Sequence, residues 1–142
     1  LQDPKKKMSK YDGPQTYISL FEEPESIRKK MMRATTDAGK EVAYNPTKKP
    51  GISNLLVIYS LFSKQSIQDT ERQFQGKGYA ALKKSIAELL VDTLDPFRKR
   101  KKEFMARDLY LKEILKHGAR KAHSIASPTM EDVRSKLGLL PL

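Results

Sequence analysis

Apolar residues recur three and four positions apart along most of this chain, and clusters of proline, glycine and asparagine divide the runs. Pro24 stands where a helix favours its first-turn proline, with Glu25 suited to the N-terminal dipole and Ile27, Met31 and Ala34 on one face. A helix of about three turns is expected there, closing near "TTDAG", before a loop over 37–50 that holds Gly39, Asn45, Pro46 and Pro50. Ser53 is a plausible N-cap for the next helix, whose Leu55, Leu56, Tyr59 and Phe62 face inward. Ser66 repeats the pattern, with Asp69 as a capping-box acid and Gly76 and Gly78 as a stop.

From Leu82 through Ile86, Leu89, Leu90, Leu94, Phe97 and Phe104 the stripe continues past Pro96, which cannot donate a hydrogen bond in mid-helix. A kink or a joint between helices is therefore predicted at Asp95 and Pro96. Leu109, Ile114, Ala119, Ala122 and Ile125 extend the helical pattern, and Ser127 with Pro128 restarts a helix that ends at Gly138. The first 20 residues read as loop, with Tyr17, Ile18, Ser19 and Leu20 alternating as one short extended piece. The prediction is all-α, six or seven helices with very little strand, and no period that would mark a solenoid.

Composition narrows the function. The 142 residues and 38% apolar content suit one helical domain with an appended segment, and no apolar run approaches the length of a membrane span. The absence of cysteine excludes a disulfide framework, a thiolate zinc site and a cysteine nucleophile, and leaves the cytoplasm as the default location, with an organelle open. Against 17 acidic residues stand 28 basic ones, a charge of +11 that favours a polyanionic partner, nucleic acid before an acidic membrane. The first residue is Leu1, inside loop-like "LQDP", so a fragment or processed piece is expected.

Near that start, Lys7 and Lys10 flank Met8 and Ser9 on a segment with turn formers on both sides. Two flexible ammonium groups three positions apart can converge on one anionic centre, and Ser9 adds a hydroxyl. Taken alone, the same string also reads as a solvated basic terminus.

Four further stretches supply context: "RATTDAG" at 33–39, "KKPGISNLLVIYS" at 48–60, "ERQFQGKGYAALK" at 71–83 and "GARKAHSIAS" at 118–127. With them the whole chain resembles the C-terminal part of bacterial-type tryptophanyl-tRNA synthetases, members of the class I aminoacyl-tRNA synthetases. The most specific element is "PGISNLL" after "TTD", which looks like the tryptophanyl rather than the tyrosyl branch.

The resemblance implies a lysine-signature loop over residues 1–20, at the edge of a catalytic domain absent here, followed by a helical anticodon-binding region over 21–142. It implies that ATP and L-tryptophan react to tryptophanyl-adenylate and pyrophosphate, and that the acyl group passes to tRNA(Trp). Lys7, Met8, Ser9, Lys10 and Tyr11 would contact ATP, with Lys10 and Lys7 as the catalytic pair that offsets charge on the departing pyrophosphate. Mg²⁺ would accompany the ATP, with no ligand in this chain. The intact family enzyme implies a homodimer; no DNA and no membrane partner is expected. Tyr11 departs from the pattern, since it stands where the signature usually has serine. Either the loop's closed geometry is altered there, or only backbone contacts matter and Tyr11 points to solvent. The family's nucleotide-binding fold and its histidine signature are not in these residues, so the piece alone is expected to be inactive.

For RNA, Arg98 with Lys101 or Lys102 forms the first candidate face, because the five consecutive cations of 98–102 wrap more than one helical turn. Lys112, Lys116, Arg120 and Lys121 form a second. Phe62, Phe74, Phe97 and Phe104 fall on apolar stripes and read as core, while Tyr44 and Tyr79 lie near loops. His117 and His123 read as surface residues of a helix. The alternative to a synthetase is a non-catalytic helical RNA-binding module whose lysine terminus is only electrostatic.

Overall fold

The structure is a computed structural model and describes residues 1–139. Among these residues there are five α-helices, one 3₁₀ turn and no strand. Helix α1 (Pro24–Arg33) starts on its proline and buries Ile27 and Met31 one turn apart. Lys83, 49 residues beyond Ala34 in the chain, donates to the carbonyls of Ala34 (2.8 Å) and Met32 (3.4 Å) and so closes the end of α1. Burial pushes the Lys83 ammonium below the usual lysine range.

Helix α2 (Pro50–Ser63) begins three residues before the expected cap. Pro50 takes the first position, and Ser53 is buried inside the helix, its hydroxyl accepting from the Asn45 amide at 2.8 Å. That early start places Gly51 against the chain that leaves α1: a Cβ there would lie 2.3 Å from the Thr35 carbonyl oxygen. Helix α3 (Ile67–Phe74) has the predicted cap, with Ser66 Oγ accepting from the Asp69 amide at 3.0 Å and donating to its carboxylate at 2.6 Å. Phe74 meets Tyr59 edge to face at 5.1 Å, joining α3 to α2.

Helix α4 (Gly78–Met105) runs without interruption through Pro96, which removes the joint between helices from the two outcomes predicted there, a kink or a joint. One ladder bond is lost at the proline, but Leu94 and Arg98 on either side stay buried and the stripe holds the element together. Helix α5 (Asp108–Lys136) likewise passes through Pro128 instead of restarting. These two continuations reduce the predicted six or seven helices to five.

The chain divides into two compact units, Leu1–Lys99 and the residues from Arg100 onward. The first contains the core: Ile27, Met31, Ile52, Leu55, Leu56, Leu82 and Ile86 are fully buried. It also takes in residues 1–20, since Leu1 is only 5% exposed. In the second unit, α5 buries none of its residues, and Leu109, Ile114 and Ile125 are exposed. Phe74 is core as expected, but Phe62 and Phe97 are partly exposed, and Phe104 stacks on Tyr110 at 6.5 Å under Arg100. No helix among the described residues is long and apolar enough to cross a membrane.

Candidate functional site

The lysine segment is an open loop pinned at both ends. At its start the Leu1 carbonyl accepts from the Thr35 amide at 3.0 Å and the Gln2 carbonyl from the Thr35 hydroxyl at 2.7 Å, tying it to the exit of α1. At its far end, Lys30 of α1 donates to the Tyr17 carbonyl at 3.0 Å and pairs with Glu22 at 2.5 Å. Burial alone would raise the Glu22 carboxyl, but hydrogen bonds from Lys30, Ser26 and the Ser19 amide hold it below the usual glutamate range.

Between these anchors Ser9 caps a 3₁₀ turn, Lys10–Asp12, by accepting from the Tyr11 amide at 3.1 Å. Gly13 leaves the turn at φ 93°, a value that favours glycine. The Thr16 hydroxyl reaches back to the carbonyls of Ser9 (2.9 Å) and Gly13 (2.8 Å). Met8 lines an apolar groove of about 300 Å³ with Leu1, Ile18, Leu20, Met31 and Leu94, so Met8 is the apolar foot of the loop. Lys7 and Lys10 are exposed, and neither ammonium has an ion-pair partner among the described residues. Tyr11 is 100% exposed: its amide belongs to the turn and its phenol to solvent. The arrangement offers two uncommitted cations on a shaped turn, which suits an incoming polyanion.

The candidate RNA residues separate. Arg98 is only 7% exposed, and its guanidinium donates to the Val91 carbonyl at 2.5 Å and lies 3.5 Å from both the Glu22 carbonyl and Asp95. It does not share an outer face with Lys101 and Lys102, which are exposed. On α5, Lys112 pairs with Asp108 at 2.6 Å and Lys116 with Glu113 at 3.7 Å. Arg120 and Lys121 are exposed, and their cationic ends have no ion-pair partner among the described residues. His117 and His123 are exposed on the same helix.

One polar cluster escaped the sequence reading. Tyr79 of α4 donates to Asp37 at 2.6 Å, the Gly39 amide donates to the same oxygen at 2.8 Å, and Lys49 lies 3.4 Å from the phenol. The Tyr79 bond holds the Asp37 carboxyl below the usual range, while burial pushes the Tyr79 phenol up. The second Asp37 oxygen is buried without a hydrogen-bond partner among the described residues. Tyr79 is thus committed to the 37–49 loop, and only its distance in sequence from Asp37 hid the pair.

Comparison with known proteins shows the family. Residues 1–95 match the family described as tRNA synthetases class I (W and Y). Across nearly its full length the chain is 39% identical to a tryptophan–tRNA ligase of Caldanaerobacter subterraneus and 43% to one of Halalkalibacterium halodurans, covering 99% and 98% of this chain. It spans 42% of the length of each of these curated relatives. Among solved structures it is similar to tryptophanyl-tRNA synthetase from Campylobacter jejuni, with a TM-score of 0.72 at 27% identity over 94% of this chain and 42% of that one. The counterpart from Mycoplasma pneumoniae gives 0.68 at 29% identity, over 99% and 44%. The family match ends four residues short of the boundary of the first compact unit, and with the lysine turn inside it, the chain belongs to the class I tRNA synthetases of the W and Y group.

Proposed function

We propose that this chain is the C-terminal part of a tryptophan–tRNA ligase, supplying the lysine loop that closes on ATP and a helical surface that binds tRNA(Trp). The observation that carries the reading is the pair of uncommitted ammonium groups, Lys7 and Lys10, around a Ser9-capped turn anchored to the helical core. The names of the relatives that align with nearly all of the chain supply the amino acid.

In the reaction the carboxylate of L-tryptophan attacks the α-phosphorus of ATP, a P–O bond to pyrophosphate breaks, and tryptophanyl-adenylate forms. Negative charge grows on the departing pyrophosphate. Lys10, as the first residue of the turn, and Lys7, before Met8, neutralise that charge, and Ser9 and the Tyr11 amide keep the turn in shape. Mg²⁺ enters with ATP as part of the substrate; among the described residues no three His, Cys, Asp or Glu side chains gather to hold it. The acyl group then moves to tRNA(Trp), which the exposed cations Lys101, Lys102, Arg120 and Lys121 attract through its phosphates. Arg98 is left out of this surface, because its guanidinium is spent on the Val91 carbonyl within α4. The complete enzyme works as a homodimer in the cytoplasm.

The test is the double replacement Lys7→Ala with Lys10→Ala in the complete enzyme. Tryptophan-dependent ATP–pyrophosphate exchange should fall by at least about 100-fold while tRNA affinity stays within about threefold of the unmodified protein. Loss of tRNA binding with unchanged exchange would instead make the lysine segment an electrostatic RNA contact with no part in the ATP chemistry.

A further inference from the structure

The turn that presents Lys10 has little to hold it. Its own closing bond, from the Asp12 amide to the Ser9 carbonyl, is 3.4 Å long, and the Ser9 hydroxyl bonds only within the turn. Tyr11 and Lys10 extend into solvent, so no side chain of the tip is packed. Among the described residues, every hydrogen bond that reaches Ser9–Gly13 from outside comes from Thr16. Its hydroxyl proton is shared between the Ser9 and Gly13 carbonyls at 2.9 and 2.8 Å, and its amide donates to Gly13 at 3.2 Å.

Thr16 is itself fixed from the other side. Its carbonyl accepts from the Leu1 nitrogen at 3.0 Å, Leu1 is buried, and the Leu1 carbonyl accepts from Thr35 at the exit of α1. A continuous line therefore runs from the end of α1 through Leu1 and Thr16 into the lysine turn. With tyrosine at position 11 in solvent, no hydroxyl from that position helps to close the turn.

We propose that Thr16 is a positioning residue for the lysine segment: its hydroxyl locks the Ser9–Gly13 turn to the helical core, so that Lys10 is already aimed when ATP arrives. This rests on the ATP-dependent reading above. Without the hydroxyl the turn samples many conformations, and the cost of ordering it falls on the step in which Lys10 meets the growing charge. A lysine that acts on the departing pyrophosphate transmits such a fault to kcat more than to the KM for ATP.

The experiment uses the complete enzyme and measures tryptophan-dependent ATP–pyrophosphate exchange in four variants: Thr16→Val, Thr16→Ser, Lys10→Ala, and Thr16→Val combined with Lys10→Ala. Thr16→Val should lower kcat about tenfold, with the KM for ATP changing less than about threefold, and Thr16→Ser should restore the rate. In the Lys10→Ala background Thr16→Val should add nothing, because the residue it positions is gone. Should Thr16→Val lower the melting midpoint, Thr16→Ala against Thr16→Ser below both midpoints gives the same comparison. A Thr16→Val enzyme with unaltered kcat, a serine that fails to restore it, or a full tenfold loss on top of Lys10→Ala overturns the positioning role and leaves the ATP reading intact. An unmodified enzyme without exchange overturns both.

Discussion

Lys30 and Glu22 meet at 2.5 Å with side chains only 7% and 9% exposed, and Ser26 and the Ser19 amide donate to the same carboxylate. A pair so enclosed is costly to break, because removing one partner strands the other's charge. The hydrogen bonds depress the folded Glu22 pKa, so the folded carboxyl binds its proton less tightly than the unfolded one. The resulting stability is complete above the ordinary glutamate value of 4.5 and is lost as pH falls through the lower folded value. Chemical denaturation of the chain at a series of pH values should show that loss, and Glu22→Gln should flatten the curve in this range while destabilising the protein at pH 7. Arg98 obeys the same logic on α4. Arg98→Met keeps the buried stem but leaves the Val91 carbonyl without its charged donor, and should cost about 2 kcal/mol in urea unfolding. Its tRNA affinity, measured on folded protein, should change less than that of Arg120→Ala with Lys121→Ala. A larger effect on tRNA than on stability would return Arg98 to the RNA surface.

At the scale of elements, the string "PGISNLL" acquires a physical reason. Pro50 starts α2, and Gly51 is the point where the Thr35–Thr36 backbone crosses its first turn. A Cβ there would meet the Thr35 carbonyl oxygen at 2.3 Å and the Thr36 Cα at 3.0 Å, both backbone atoms that cannot swing away. Gly51→Ala should therefore destabilise the chain by about 2 kcal/mol in urea unfolding, even though alanine is the better helix former. An unchanged midpoint would mean that the 35–36 chain moves freely. This contact also marks how far the sequence can be read. The Pro24 start of α1 and the Ser66 cap of α3 are local events, decided within four residues, and both were legible. The choice of one continuous α4 over a joint at Pro96, and of one α5 over a restart at Pro128, was not, because one missing donor is outweighed by the rest of a helix of 28 or 29 residues. Ser53 misled for a related reason: a good cap residue sat next to Pro50, whose fixed φ starts the helix earlier. The local string around Lys7 and Lys10 was enough to propose a lysine turn, whereas Thr16 and the Asp37–Tyr79 pair depend on approaches that no periodicity records.

At the scale of the whole molecule, burial and charge are distributed unequally. Every fully buried apolar side chain among the described residues lies between Leu1 and Leu94, while α5 buries none. The residues from Arg100 to the end carry ten basic and five acidic side chains, +5 of the total +11. Stability and electrostatic reach should therefore be separable by a cut after Lys99. The 1–99 piece keeps the core, the α2–α3 packing and the Lys30–Glu22 pair, so it should unfold cooperatively with a midpoint within about 5 °C of the full chain by circular dichroism. On the proposed tRNA-binding role, the same piece should bind tRNA with a shallower dependence of log K on log salt, because fewer phosphate counterions are released when the 100–142 cations are missing. A helix without buried residues draws little stability from packing, so the isolated 100–142 peptide should be less than about half helical at 25 °C. A 1–99 piece that melts without cooperativity would mean that the second unit supports the first. An unchanged salt slope would place the tRNA contacts on the unit that also carries the lysine turn.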